Sequence, residues 1–399
     1  MFRSLTRRLA LATAAALLPA PLVAAAPDGG APEPERTVLA PLIHSADPIP
    51  GRYLVTLDAG FDPAGIARGV GAEPSFVYRA AVLGFAAPLT DAQVAAVRRA
   101  PGVAAVEQDA RVQLNDPLAL PRPAAPAATW GLDRIDQREL PLDGDYTVGA
   151  DGAGVTAYVM DTGIDYDHSE FGGRAEAGFD AVGDGRDGAD CNGHGTHVAG
   201  TVGGGTYGVA REVALVSVRV LNCEGRGSTG GIIAGLDWTA RNAAKPAVLN
   251  ASLGGGYSYA TNAAVDNLAR AGVLPVVAAG NSDRNACSVS PAGADSALTV
   301  GATRRDDEEA QFSNHGPCVD LYAPGVDIVS ARLGGGGVAL NGTSMAAPHV
   351  AGVAALLQQE NGVVSAAALA RLLTRTATPD QVGNIGPGSP NRLLFTGSL

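Results

Sequence analysis

Two histidines stand three residues apart in "CNGHGTHVAG" (191–200), with a cysteine upstream and glycines on three sides. A two-histidine zinc helix needs H-E-x-x-H, whereas Gly195 and Thr196 fill the gap between His194 and His197. That leaves a glycine turn around a packed histidine, or the mouth of a catalytic one. A carboxylate is available at Asp161 in "MDTGID". Aspartic proteases also carry D-T-G, but they need two such carboxylates sharing a proton, and no second D-T-G or D-S-G exists. A hydroxyl is available at Ser344 in "NGTSMAAPHVAGVAALLQQ", at the start of an apolar helical pattern. Pro348 requires that helix to begin close by, which puts Ser344 at its N-terminus, where negative charge is favoured. The G-x-S-x-G elbow is absent, because Ala346 takes the last glycine position.

The elements that must position these groups can be read from pattern. "GVTAYVMD", "ALVSVRVL", "AVLNASLG", "GVLPVVAAGN" and "ALTVGAT" are short apolar runs suited to strands buried on both faces of a parallel sheet. Helical patterns lie between them in "THVAGTVGG", "STGGIIAGLDWTARNA" and "ATNAAVDNLARAG". This alternation predicts a doubly wound α/β domain from residue 130 to 399, with its ligand beyond the carboxyl ends of the strands. Residues 49–114 read as β-α-β-β-α-β, the ferredoxin-like order, with a capping box at Thr90 and Gln93. Linkers are expected at 27–48 and, proline-rich, at 115–129.

Residues 1–26 carry arginines, an apolar run and alanines in the order of a secretory signal peptide; the run is short for a membrane anchor. A secreted chain with four cysteines favours pairing, with three connectivities open. The 399 residues have 46% hydrophobic and 17% charged content and a net charge of −12, which excludes a largely disordered chain and argues against a nucleic-acid surface.

The order Asp161, His194, Ser344 is that of subtilisin. "DTGID", "NGHGTHVAGT", "SLGG", "AAGN" and "GTSMAAPHVAG" together resemble the subtilisin-like serine protease family, most closely its proteinase K/aqualysin branch. "GRYLVTL", "VLGFAAPLT" and "VAAVEQD" resemble the family's inhibitory propeptide.

The resemblance implies a secreted serine endopeptidase made as a zymogen. Ser344 would be the nucleophile, His194 the general base and Asp161 its partner, leaving His168, His197, His315 and His349 as packed residues. Asn281 and the Ser344 N–H would form the oxyanion hole. Gly225, Arg226 and Gly227 would sandwich an extended peptide with Ser252, Leu253, Gly254 and Gly255; with Ala278, Ala279 and Gly280 the latter would line a pocket for large apolar or aromatic residues. The implied disulfides are Cys191–Cys223 and Cys287–Cys318.

Structural calcium is the implied cofactor. One site would use Asp133, Asp136, Gln137, Asp143 and Asp145 from a short loop, and a second Asp320 with carbonyls near Asp295 and Ala297; the acidic loop of Asp180, Asp184 and Asp187 is a weaker third. Expected partners are peptide and protein substrates and the chain's own propeptide, with no nucleic acid or membrane, the enzyme acting as a monomer. Self-cleavage is expected between roughly Leu114 and Thr129. The competing readings are a catalytically silent binding protein on this scaffold and an esterase.

Overall fold

The computed structural model describes residues 39–114, 130–397 and 399. The expected signal peptide and the expected self-cleavage segment 115–129 lie outside the described residues.

The N-terminal module runs β1 (Leu42–Ile43), β2 (Pro48–Leu57), α1 (Pro63–Gly69), β3 (Phe76–Tyr78), β4 (Gly84–Pro88), α2 (Asp91–Val97) and β5 (Val103–Gln113). The strands lie in the order β1-β5-β2-β4-β3, and all neighbours are antiparallel except β1 and β5. Without β1 this is the ferredoxin-like arrangement. Strand β1 falls inside the stretch read as linker, because two residues are too few to show a period-2 pattern. Helix α1 starts at Asp62, whose carboxylate accepts from the N–H groups of Ala64 and Gly65. The reciprocal capping box of Thr90 and Gln93 starts α2. Val55, Phe85, Val97 and Val106 are fully enclosed between these helices and the sheet.

From Trp130 the chain forms α3 (Trp130–Ile135), β6 (Thr156–Asp161), β7 (Ala175–Asp180), α4 (His194–Gly203), β8 (Ala214–Arg219), β9 (Arg226–Ser228) and α5 (Thr229–Asn242). There follow β10 (Ala247–Ala251), β11 (Gly255–Gly256), α6 (Tyr259–Arg270), β12 (Leu274–Ala278), β13 (Val289–Ser290), β14 (Leu298–Thr303) and β15 (Leu321–Pro324). The hairpin β16 (Ile328–Ala331) and β17 (Gly337–Leu340) leads to α7 (Thr343–Asn361), α8 (Ala366–Thr376), β18 (Thr378–Pro379) and β19 (Arg392–Leu393).

Nine strands make one sheet in the order β7-β8-β6-β10-β12-β14-β15-β19-β18, parallel throughout except for β18. Alternation along β6 serves two cores: Ala157 and Val159 join the one built on α4 and α7, while Tyr158 and Met160 join the one built on α5 and α6. Helices therefore cover both faces of the sheet. Four strands of this sheet escape a search for apolar runs: β7, β15 and the two-residue β18 and β19. Strand β7 is a half-exposed edge, and β15 is four residues ending in proline.

From β6 the chain moves to β7 and β8 on one side and to β10 on the other. This reversal creates a crevice at the carboxyl end of β6. Asp161 is the last residue of that strand.

Candidate active site

Asp161 is fully buried, and its Oδ1 lies 2.7 Å from His194 Nδ1. Burial pushes the Asp161 carboxyl up, and the neighbouring imidazole pulls it back toward ionisation. His194 opens α4, and the glycine after it is a steric requirement. A Cβ on Gly195 would stand 2.1 Å from the Gly163 carbonyl oxygen, so a side chain would push the helix off Asp161.

A second carboxylate, absent from the sequence reading, braces this corner. Asp190 Oδ1 accepts from the Thr162 hydroxyl and from the N–H groups of Asn192 and Gly193, while Oδ2 accepts from the Thr196 N–H and hydroxyl. The Thr162 hydroxyl in turn accepts from the Gly195 N–H at 2.9 Å. An aspartate three residues before a glycine turn was the available signal.

Ser344 is the second residue of α7 and is 4% exposed. Pro348 lies inside this helix rather than in its first turn. Having no N–H, it leaves the Ser344 carbonyl without the usual helical donor. The Ser252 hydroxyl supplies one at 2.8 Å.

Asn281 follows β12, and its amide oxygen accepts from both the N–H and the hydroxyl of Thr343, each at 2.8 Å. The Thr343 hydroxyl also accepts from the Gly280 N–H at 3.0 Å. With its oxygen engaged this way, the amide must present its NH2 end elsewhere, as a donor. Thr343 thus joins the site by holding the Asn281 amide, a role that its place in "GTSMAAPHVAG" does not announce.

A cavity of about 370 Å³ opens beside these groups. Ser252–Gly255, Ala278–Gly280, Asn281 and Ser344 line it, so the structure brings together the expected pocket residues. Gly225, Arg226 and Gly227 lie beyond it, at and just before β9. There β5 of the N-terminal module pairs antiparallel with β9, Val112 opposite Gly227 and Gln113 opposite Arg226, and the Leu114 N–H donates to the Gly225 carbonyl at 2.9 Å. On the other side a Cβ on Gly255 would be 3.2 Å from Val112 Cγ2. An extended segment of the chain itself thus lies between the two glycine stretches. Strand β11 pairs through its backbone with β13 rather than with β5.

The module is also held away from the cleft. Asp237 of α5 accepts from the N–H groups of Arg79, Ala80 and Ala81 through one carboxylate oxygen, at 2.6–3.0 Å. Asp109 and Glu107 of β5 accept from Gly230 N–H and Ala260 N–H at the starts of α5 and α6.

The expected calcium residues are spread over more than a loop, since Asp133 lies on α3. Asp133 accepts from Asp143 N–H and Gly144 N–H, Gln137 Oε1 accepts from Asp143 N–H, and Asp143 Oδ1 accepts from Asp145 N–H. Asp136 turns to the Thr147 N–H at 2.7 Å. Partial burial raises Asp133 and Asp136, and the charge of Asp143 raises both further. Asp320 is pushed up to about 6 by burial, beside a cavity of about 490 Å³ that Asp295 and Ala297 also line. By donor type these oxygens suit a hard cation, which would relieve both the repulsion and the desolvation. Among the described residues no three of these carboxylates converge on one point, so an ion would have to draw them together. In the third acidic loop an arginine already faces two of the three carboxylates. Arg219 bonds both Asp180 and Asp184 and holds the Asp184 carboxyl down at about 2.

Cys191 is joined to Cys223 and Cys287 to Cys318. His197, His168 and His349 bond backbone groups within the fold, and His315 lies 3.8 Å from Asp283.

The Subtilase family model matches residues 152–393, and the Peptidase inhibitor I9 model matches residues 69–115. Alkaline serine exoprotease A of Vibrio alginolyticus is 50% identical over 353 residues, covering 88% of this chain and 62% of that protein. The extracellular serine proteinase of Thermus sp. (strain Rt41A) is 48% identical over 394 residues, covering 92% of this chain and 94% of that protein. A crystal structure of a cold adapted subtilisin-like serine proteinase superposes with a TM-score of 0.67 at 53% identity, covering 68% of this chain and 98% of that one. No described helix is long and apolar enough to cross a membrane. A catalytically silent binding protein is not the reading these relatives favour, and the chain belongs to the subtilase family of serine proteases, preceded by a propeptide of the I9 inhibitor type.

Proposed function

We propose that the chain is a secreted endopeptidase that hydrolyses peptide bonds through an acyl-enzyme on Ser344. The observation that carries this reading is the buried 2.7 Å contact between Asp161 and His194, in a chain whose Ser344 heads α7 at the wall of the cleft. Asp161 fixes the tautomer of His194, whose Nε2 then accepts the Ser344 proton and later returns it to the leaving amine. The Ser344 N–H and the Asn281 amide donate to the oxyanion as it forms.

Substrate binds as Val112–Leu114 does, as a strand laid on β9. Ser252–Gly255 and Ala278–Gly280 bring no charge into the cavity, which Asp47, Arg111 and Arg284 also border, and the pocket between the two stretches favours large apolar or aromatic residues on the acyl side of the cut. Arg226 is exposed and adds a preference for acidic groups further along the peptide. The same strand position makes the propeptide an intramolecular inhibitor, removed by self-cleavage between roughly Leu114 and Thr129. The implied cofactor is structural calcium: Asp133, Asp136, Gln137, Asp143 and Asp145 would hold one ion, and Asp320 with carbonyls of Asp295 and Ala297 a second. When bound it neutralises these carboxylates and stabilises the fold by mass action. The mature enzyme works as a monomer outside the cell.

The test is a chromogenic peptide assay on purified protein with and without a serine-directed inhibitor. Stoichiometric loss of activity with the label on Ser344 is expected. An unlabelled Ser344 or an inert protein overturns the reading.

A further inference from the structure

Asn314 is a buried asparagine, 1% exposed, in the segment between β14 and β15, and no motif of the cleft includes it. Four of its hydrogen bonds go to the backbone of one loop, and its own carbonyl accepts from the Ser313 hydroxyl. Asn314 Nδ2 donates to the Ala279 carbonyl at 2.8 Å, and Asn314 N–H donates to the Gly280 carbonyl at 2.8 Å. Its Oδ1 accepts from Ser282 N–H and Arg284 N–H, both at 3.1 Å. The bonds therefore bracket Asn281 from both sides while leaving its side chain to Thr343. The amide orientation is dictated by its surroundings: a flip would aim NH2 hydrogens at two N–H donors and oxygen at a carbonyl.

The loop needs this support. Gly280 has φ +101°, so the chain turns there through a region that gains nothing from ordinary propensity. The approach is also tight, since a Cβ on Gly280 would stand 2.4 Å from Asn314 Nδ2. A donor that must face an oxyanion is useful only if it is held in place before the charge develops.

We infer that Asn314 is a positioning residue for the oxyanion site, fixing the Ala279–Arg284 loop so that the Asn281 amide points where the tetrahedral intermediate forms. This rests on the proposed role of Asn281. Losing an oxyanion asparagine outright costs about 10²–10³-fold in kcat, a magnitude measured in subtilisin. Losing its support leaves the donor present but misplaced, so a smaller loss is expected.

The experiment compares Asn314→Ala, Asn281→Ala and the double variant in the mature, active-site-titrated protein. Asn314→Ala is expected to lower kcat by about 10- to 100-fold with KM within about twofold, and to weaken a peptide boronate, which forms a tetrahedral adduct, in parallel. In the Asn281→Ala background the same change should cost less than about twofold, because two residues acting through one group are not additive. Should Asn314→Ala not fold, Asn314→Asp keeps the Oδ1 acceptor and sets an oxygen against the Ala279 carbonyl, and the same readouts apply. An undiminished loss in the Asn281→Ala background, a loss confined to KM, or an unchanged kcat in a folded variant overturns the inference. Full activity in Asn281→Ala alone would instead overturn the oxyanion reading beneath it.

Discussion

Ser252 and Ser344 are bonded to each other twice across the cleft: the Ser252 hydroxyl donates to the Ser344 carbonyl at 2.8 Å, and the Ser344 hydroxyl lies 3.3 Å from the Ser252 carbonyl. The first bond replaces the one that Pro348 cannot make in the first turns of α7. Ser252 is itself held by Asn250, whose Nδ2 donates to it at 2.9 Å. Ser252→Ala should therefore leave a buried carbonyl unpaired, costing about 1–3 kcal/mol by denaturant titration. Adding Pro348→Ala restores a helical N–H and should recover part of that loss. Equal stability of the single and double variants would show that the carbonyl finds another donor.

Ser344→Ala should lower kcat by several orders of magnitude and leave thermal stability nearly unchanged. Because the proposed maturation uses the same serine, this variant should also accumulate as uncut precursor. Mass spectrometry of protein made without other proteases checks this directly, and a normally processed Ser344→Ala chain would refute self-cleavage.

Asp237 carries three N–H groups of the Arg79–Ala81 turn on one oxygen, so its loss should be felt by the inhibitory module and not by the cleft. Asp237→Ala should weaken inhibition by added propeptide by roughly 10- to 100-fold, from hydrogen bonds to a charged group at about 1.5–3 kcal/mol. Peptide turnover by the mature enzyme should be unchanged. The inhibition constant and kcat/KM, measured on the same preparation, separate the two.

Calcium dependence should vary with pH in a direction the carboxylates set. Asp320 has its folded pKa raised from 3.8 to about 6, so between these values the folded protein holds a proton that the unfolded chain lacks. Without metal, ionising Asp320 costs stability as pH rises through about 6; with metal, that same ionisation creates the ligand. Chelation should therefore lower the melting temperature strongly at pH 8 and weakly near pH 5. Fresh enzyme at low temperature should keep its kcat. Melting curves at the two pH values, with and without chelator, decide it, and equal shifts would argue against Asp320 as a ligand.

His349 should make the fold acid-sensitive in the opposite sense. It is fully buried in α7, bonded through Nδ1 to the Met345 carbonyl, and burial lowers it from 6.5 to about 4. Between these values only the unfolded chain takes the proton, so stability falls as pH drops from about 6.5 to 4, by at most about 3 kcal/mol. His349→Asn places an amide nitrogen where Nδ1 stands and so retains a donor for the Met345 carbonyl without an ionisable ring. Its stability should be flatter over that window in urea titrations, and an unaltered slope would assign the acid loss to other groups.

The local rules of the chain were legible without a structure. Five apolar runs marked the buried parallel strands β6, β8, β10, β12 and β14, because a strand covered on both faces has no polar alternation to blur it. Thr90 with Gln93 marked the start of α2 by capping chemistry alone. The order and type of Asp161, His194 and Ser344 named a chemistry, and the glycines around them announced close backbone approach. What the sequence hid was whatever depends on residues far apart meeting. Strand β7 lies at the sheet edge, so its residues are set by exposure rather than by a run. Asp190, Thr343 and Asn314 are ordinary polar residues in sequence; only the fold places Thr343 on the Asn281 oxygen or wraps Ala279–Arg284 around Asn314. The same holds for Arg219, which pairs with Asp180 and Asp184 from a strand some 35 residues away. Hydrophobic period and turn chemistry act over a few residues, so one chain reveals them. Hydrogen bonds that complete a buried site join residues far apart in the chain, and only packing decides which polar groups those are.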